Sequence, residues 1–356
     1  MNFAVKVYPR TIWGERYHGN FDRLTDEIAA AGIQNLIVPA FQGARIFFAQ
    51  QFDQEPNPWS LLPLREQCAQ KQLGFALEFP ILNDRDTFER LPEYRPQSPD
   101  GKSYPQDLWY RPICPSHFDY NQHRVHLIEG AINHLQPALA LINFLWCPFL
   151  PPPAFDSDES KAGVKAWEEM GSQAPAFCLC PSCRQEFAER TGLANPLQDI
   201  EAWFAFRCEQ IINLLADIEE ASKQTKALPS LLLELPPVAT PHFAERLRRL
   251  TGIHLAAAGK IISALSPQLF YNEYGQTPAW PLAVLDELAA YNFSLFPQID
   301  FADLTAFSED HLHELVFLLQ AFATRKIGAA ALFHWENIVN LPQVLNIIEQ
   351  FSCEIS

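Results

Sequence analysis

Glycine is scarce in this chain of 356 residues and methionine nearly absent: 14 Gly stand against 29 Pro, with two Met. Phosphate cradles of the G-x-G-x-x-G or G-x-x-x-x-G-K-[ST] type need glycine backbone, and neither pattern occurs, which removes dinucleotide and P-loop sites. Basic charge is short as well. Lys and Arg total 26 against 42 Asp and Glu, a net charge of −16, so nucleic acid and anionic membrane surfaces are not expected partners. No apolar run approaches membrane-spanning length, and the start MNFAVKVYPRTIWGER turns polar early without a small-residue cleavage site. A cytoplasmic protein is expected. Eight cysteines are too few for a disulfide framework at this length.

What is present is a large apolar fraction, 48%, arranged in a repeating order. Eight short runs rich in β-branched and aromatic residues alternate with amphipathic stretches: Phe3 to Tyr8, Asn35 to Pro39, Gly74 to Phe79, Ala138 to Trp146, Leu231 to Leu235, Leu269 to Tyr274, Ser294 to Gln298 and Gly328 to Trp335. Helical patterns follow them, for example Asn20 to Ala31 and Pro241 to Leu265. Eight strand-plus-helix units predict an α/β protein, a (β/α)8 TIM barrel. A doubly wound sheet needs no eight units and commonly carries a glycine-rich first turn, which is missing. One domain over 1–356 is expected, with insertions at 83–114 and 147–195 roofing the C-terminal face of the barrel.

The segment FCLCPSCRQEFAERTG places Cys178, Cys180 and Cys183 in a C-x-C-x2-C knuckle leading into a helix. Three thiolates on one tight turn can converge on a tetrahedral ion, which predicts a structural zinc site. The fourth ligand is assigned to Cys114 (RPICPSH), with Cys147 (LWCPF) as competitor. Free thiols packed as small hydrophobes, or a redox pair, are the other readings. Four cysteines around one ion leave no open position, so such a metal holds the insertion and performs no chemistry.

An upstream CP ahead of a helix and the fourth strand, joined to a C-x-C-x2-C knuckle ahead of FAERTG, resembles the zinc-bearing family 42 beta-galactosidases and the related glycosyl-hydrolase-like barrels with the same cysteine insert. TGIHLAAAGKIISALSPQLFYNEYG is similar to the sixth unit of those barrels, and the stretch from FPQID to HWENI to the last two. The resemblance implies a TIM barrel, a zinc-stapled insert and a carbohydrate ligand. In the family 42 pattern the acid/base Glu follows an Asn at the end of the fourth strand, and the nucleophile Glu ends the seventh. Here the fourth strand ends in INFLWCPF and the seventh in FPQID, so that mechanism does not carry over.

Glycoside cleavage generally needs two carboxyl groups flanking an oxocarbenium-like transition state. Other strand ends supply them: Glu78 (LEFP), Glu234 (LELPP), Glu273 (YNEYG) and Glu336 (HWEN). Strand polarity gathers all four at one mouth, where mutual repulsion raises the pKa of one toward that of a general acid. Glu234, Glu273 and Glu336 are the candidate acid, base or nucleophile, with Glu234 and Glu273 as the working pair on adjacent strands. Glu78, Arg111, Asn143, Trp146, Tyr271, Tyr274, Gln298 and Trp335 are the candidate saccharide contacts, because rings stack on the C–H faces of sugars and polar groups meet the hydroxyls. A catalytic metal is not favoured. No H-E-x-x-H occurs, and His311 and His313 on one helix face differently. Without a G-x-S-x-G elbow, neither is a Ser-His-Asp hydrolase. A barrel that binds a saccharide without cleaving it is the alternative from another class.

Overall fold

The computed structural model of the chain describes residues 1–48, 57–97, 101, 103, 110–148, 178–238, 240–273, 275–301 and 308–353. Eight strands run parallel: β1 (Asn2–Lys6), β2 (Asn35–Pro39), β3 (Gly74–Pro80), β4 (Leu139–Asn143), β5 (Ser230–Leu235), β6 (Ala264–Pro267), β7 in two pieces (Ser294–Leu295 and Gln298–Asp300) and β8 (Ala329–Phe333). The break in β7 falls at Phe296 and Pro297, whose ring removes a backbone donor. Ser294–Leu295 pairs with β6, and Gln298–Asp300 pairs with β8. The two ends of the sheet are therefore consecutive pieces of one strand, and the sheet closes on itself as the expected (β/α)8 barrel.

Every strand is followed by helix, the longest after each being Phe21–Ala30, Leu62–Gln70, Phe118–Leu135, Ile200–Lys223, Phe243–Thr251, Ala279–Leu288, Glu309–Thr324 and Pro342–Cys353. The first illustrates the local logic. Asn20 caps it by accepting from the Arg23 amide at 3.0 Å, and Leu24, Thr25 and Ile28, three and four residues apart, turn inward. Among the described residues no helix is long and apolar enough to cross a membrane.

Alternation along the strands sorts side chains into two layers. Val5, Leu36, Val38, Leu77, Ile142, Leu233 and Leu265 point outward and pack with the helices in the main core. Ala4, Ile37, Ala76, Leu141, Leu232, Phe296 and Ala331 come from strands all around the barrel yet touch one another, so they fill its interior. Two residues beyond these apolar positions, toward the C-terminal ends, the inward residues become polar: Lys6, Glu78, Asn143, Glu234 and Gln298. An apolar plug thus carries a polar floor directly above it.

Two expectations are corrected. The sixth strand is Ala264–Pro267 and not Leu269 to Tyr274. Its small residues lack strand-like bulk, but Ser266 reaches inward to donate to the Phe296 carbonyl at 2.8 Å. The bulky Leu269, Phe270 and Tyr271 are buried just past the end of that strand. The helix expected over Pro241 to Leu265 is two, Phe243–Thr251 and Leu255–Ala258. Gly252 separates them at φ +78°, and a Cβ there would lie 3.0 Å from the Arg207 carbonyl and 3.1 Å from Cys147 Sγ.

In the first insertion, the helix Arg85–Arg90 is capped by Asp84, whose carboxylate accepts from the Thr87 amide and hydroxyl. Arg124, from the helix ahead of β4, pairs with the same carboxylate out of solvent and ties the insertion to the barrel. Of the second insertion, Pro181–Thr191 forms a helix, and residues 149–177 lie outside the described residues.

Candidate active site

The polar floor is organised by a residue that sequence reasoning missed. Lys6, 1% exposed, holds its Nζ 2.8 Å from Glu234 Oε2 and 3.2 Å from Glu78 Oε1. Asn143 Nδ2 donates to Glu78 Oε1 and Gln268 Nε2 to Glu234 Oε1, while Gln298 also bonds Glu234 and donates to Ser266 Oγ at 2.9 Å. One cation between two buried carboxylates leaves a net charge of −1, and the environment responds accordingly. Burial pushes the Glu234 carboxyl up, against the opposing pull of Lys6. Burial works to lower Lys6, but Glu234 and Glu78 overcome it and hold the ammonium above its ordinary range.

Glu234, one of the predicted pair, is 0% exposed, with both oxygens engaged. Glu78 is different: its Oε2 is buried and has no hydrogen-bond partner among the described residues. It lines a cavity of about 280 Å³ at the barrel mouth together with Tyr8, Gln42, Asn83, Arg111 and Phe144. Burial, then the charges of Glu78 and Glu234, raise the Tyr8 hydroxyl well above its usual value, so it stays a donor.

Glu273 is not on a strand. It lies in the turn after β6, where burial pushes its carboxyl up to about 7 and a hydrogen bond with Asp300, at the end of β7, pulls against that rise. His334, following β8, is held neutral, its pKa lowered by burial to about 4, with its ring edge-on to Tyr8 at 5.5 Å. Glu336 opens the short helix Trp335–Ile338 and meets Arg10, with Nε at 3.0 Å and Nη2 at 2.9 Å, and the Thr11 hydroxyl. It lines a second cavity with Arg10, Thr11, Arg16 and Asn340.

The predicted aromatic contacts are mostly internal. Trp335 is 1% exposed and donates from Nε1 to the Tyr17 hydroxyl at 2.7 Å. Trp146 is buried against Phe144, and Tyr271 is buried while donating to Glu314 at 2.7 Å. Tyr274 lies outside the described residues. Of the predicted set, Glu78, Asn143, Glu234 and Gln298 come together on the floor, and Arg111 stands at the cavity. Lys6, Tyr8 and Gln268 complete the group. The one signal for Lys6 was a lone cation in the apolar run FAVKVY, two residues past Ala4.

Cys114, Cys178, Cys180 and Cys183 form a separate buried cluster whose sulfurs all lie within 4.8 Å of one another. Cys114 Sγ is 3.5 Å from that of Cys180 and 3.1 Å from that of Cys183. Four thiolates around zinc at about 2.3 Å have a sulfur–sulfur edge of about 3.8 Å, so the donor set fits a tetrahedral ion. Amides of Gln97 and Cys180 donate to Cys178 Sγ, that of Cys183 to Cys180 Sγ, and the Ser116 hydroxyl to Cys183 Sγ. Such donors favour the ionised sulfur a metal needs. Hydrogen bonds from Cys114, Cys178 and Cys183 pull the Cys180 thiol down, while burial raises Cys114. Cys147 is elsewhere, with its Sγ 3.9 Å from the Arg207 carbonyl.

No protein-family model and no curated protein matches the chain. Solved structures do. The PgaB (BpsB) glycoside hydrolase domain from Bordetella bronchiseptica superposes with a TM-score of 0.72 at 12% identity, covering 99% of each chain. The endo-1,4-beta-mannanase from Rhizomucor miehei gives 0.60 at 8%, over 99% of this chain and 93% of that one. The beta-galactosidase from Bacillus circulans sp. alkalophilus gives 0.65 at 10%, and this chain covers only 55% of it. At these identities the likeness is one of fold: the barrel is one that glycoside hydrolases use.

Proposed function

We propose that the chain is a glycoside hydrolase that cleaves bonds within an oligo- or polysaccharide by carboxylate acid/base chemistry. The observation that carries this reading is Glu273, whose carboxyl is held up to about 7 and so remains partly protonated at neutral pH, as a general acid requires. Glu273 gives that proton to the leaving oxygen as the glycosidic C–O bond breaks. The floor carboxylates supply negative charge to the oxocarbenium-like centre, with Glu78 the nearer to the cavity and Glu234 anchoring Lys6 behind it. A floor carboxylate then either bonds the anomeric carbon, forming a glycosyl ester that water cleaves as it returns a proton to the ionised Glu273, or takes a proton from the water that attacks that carbon. Carboxyl separations of about 5–5.5 Å go with the first course and about 6.5–9.5 Å with the second.

Kinship with the family 42 beta-galactosidases belongs to the same reading, supported by the fold likeness and the four-cysteine cluster. So does zinc on Cys114, Cys178, Cys180 and Cys183, where a closed four-thiolate shell supplies rigidity. Thiols that must stay reduced to hold a metal suit the cytoplasm. A barrel that binds saccharide without cleaving it is supported by one observation, the full engagement of the fully buried Glu234.

The deciding experiment measures release of reducing ends from a panel of glycans by the unmutated protein and by Glu273→Gln. Turnover that falls by two orders of magnitude or more in Glu273→Gln, with substrate affinity retained, is expected. Saccharide binding without turnover of any glycan would establish the binder instead.

A further inference from the structure

The cavity above the floor carries an asymmetry of charge. Two arginines line it. Arg85 is spoken for, its Nε 2.8 Å from Glu89 on its own helix. Arg111 has no carboxylate within ion-pair distance among the described residues. Its Nη1 reaches only the Tyr110 carbonyl, at a marginal 3.5 Å, and its guanidinium lies 5.7 Å from the Phe88 ring centre.

The backbone beneath Arg111 is held firmly all the same. Its amide donates to Asn83 Oδ1 at 3.0 Å, its carbonyl accepts from Asp84 at 3.0 Å, and Asn83 bridges to Pro112. In a chain with 42 acidic and 26 basic residues, a half-buried guanidinium at this cavity with no carboxylate of the described residues within ion-pair distance is available to one brought by the ligand. Its planar fork matches a carboxylate through two parallel hydrogen bonds. The rest of the cavity suits the body of a sugar: Glu78 Oε2 lacks a donor that a hydroxyl would supply, and Phe144 adds apolar lining.

We infer that Arg111 reads a carboxylate on the saccharide, so that the cavity takes a glycan containing uronic acid. This inference rests on the reading of the barrel mouth as a saccharide site. The sugar lies with its hydroxyls toward Glu78 and its carboxylate toward Arg111.

Paired ligands that differ only at C6 isolate the carboxylate: methyl glucuronide against methyl glucoside, and methyl galacturonide against methyl galactoside, in both anomers, titrated by NMR. In at least one pair the uronide should bind about tenfold tighter or more, as expected for charge-assisted hydrogen bonds. Arg111→Gln should erase that ratio, Arg111→Lys should keep part of it, and added salt should weaken the uronide alone. Thermal unfolding of both variants checks that they fold. Equal affinities within every pair, binding of no pair, or a loss in Arg111→Gln shared equally by both members of a pair would overturn the inference. Because binding is read without turnover, the two readings fail separately. Uronides bound but never cleaved would count against the hydrolase, and neutral glycosides cleaved with no uronide preference against Arg111 as reader.

Discussion

Lys6 on the first strand and Glu234 on the fifth meet across the inside of the barrel, nitrogen to oxygen at 2.8 Å, with Glu78 3.2 Å from the same ammonium. Among the described residues nothing else on the floor carries positive charge, so the two carboxylates depend on one cation.

Replacing that cation tests the dependence. Lys6→Met should destabilise the protein by about 3–5 kcal/mol, the usual cost of leaving buried charge uncompensated. The deficit should shrink as pH falls, because protonation removes the repulsion. Urea unfolding at a series of pH values checks both, and an unchanged midpoint near neutrality would show that the floor does not bear this charge.

Glu273 makes a stability prediction besides its catalytic one. Its folded pKa is raised from 4.5 to about 7, so the folded state holds a proton that the unfolded state releases. The stability it contributes is complete below 4.5 and is lost as pH rises through about 7. Glu273→Gln cannot ionise. The variant should match the parent in acid and surpass it in thermal midpoint above pH 7, while the parent's rate falls on the alkaline side near 7.

The cysteine cluster predicts stoichiometric zinc in protein purified under reducing conditions without chelator. Cys183→Ser should lose the metal and loosen the helix Pro181–Thr191, as read by proteolysis, whereas Cys147→Ser should keep it. Purified protein with all thiols intact and no bound metal would refute the zinc.

Trp335 separates a buried ring from a sugar platform. Trp335→Phe removes the bond to Tyr17, which should cost about 1–2 kcal/mol of stability and leave saccharide affinity unchanged. A marked loss of affinity at full stability would return Trp335 to the binding surface.

The barrel was legible because buried parallel strands write themselves as apolar runs, as seven of the eight do here, and because alternation puts chemistry at their ends. Small residues hid β6, since the run Ala264 to Pro267 says little about a strand until its ladder is seen. Lys6 was illegible for a different reason: its partners lie 72 and 228 residues away, and a single cation in an apolar run does not announce them. The tight knuckle spacing made three cysteines readable, and of the two candidates for a fourth, Cys114 is the one the fold brings, across 66 residues, to Cys180. For Trp146 and Trp335, position at a strand end was readable, but which way each ring turned was a matter of packing.

The floor resting on an apolar plug makes the barrel a building whose upper storey can be refurnished. Lys6, Glu78 and Glu234 stand two residues above Ala4, Ala76 and Leu232, whose apolar side chains pack with one another below. Exchanged one at a time they leave orphaned charge, but exchanged together for apolar residues of similar volume they should give a stable barrel stripped of its chemistry. Such a triple variant separates inheritance of the scaffold from inheritance of the reaction.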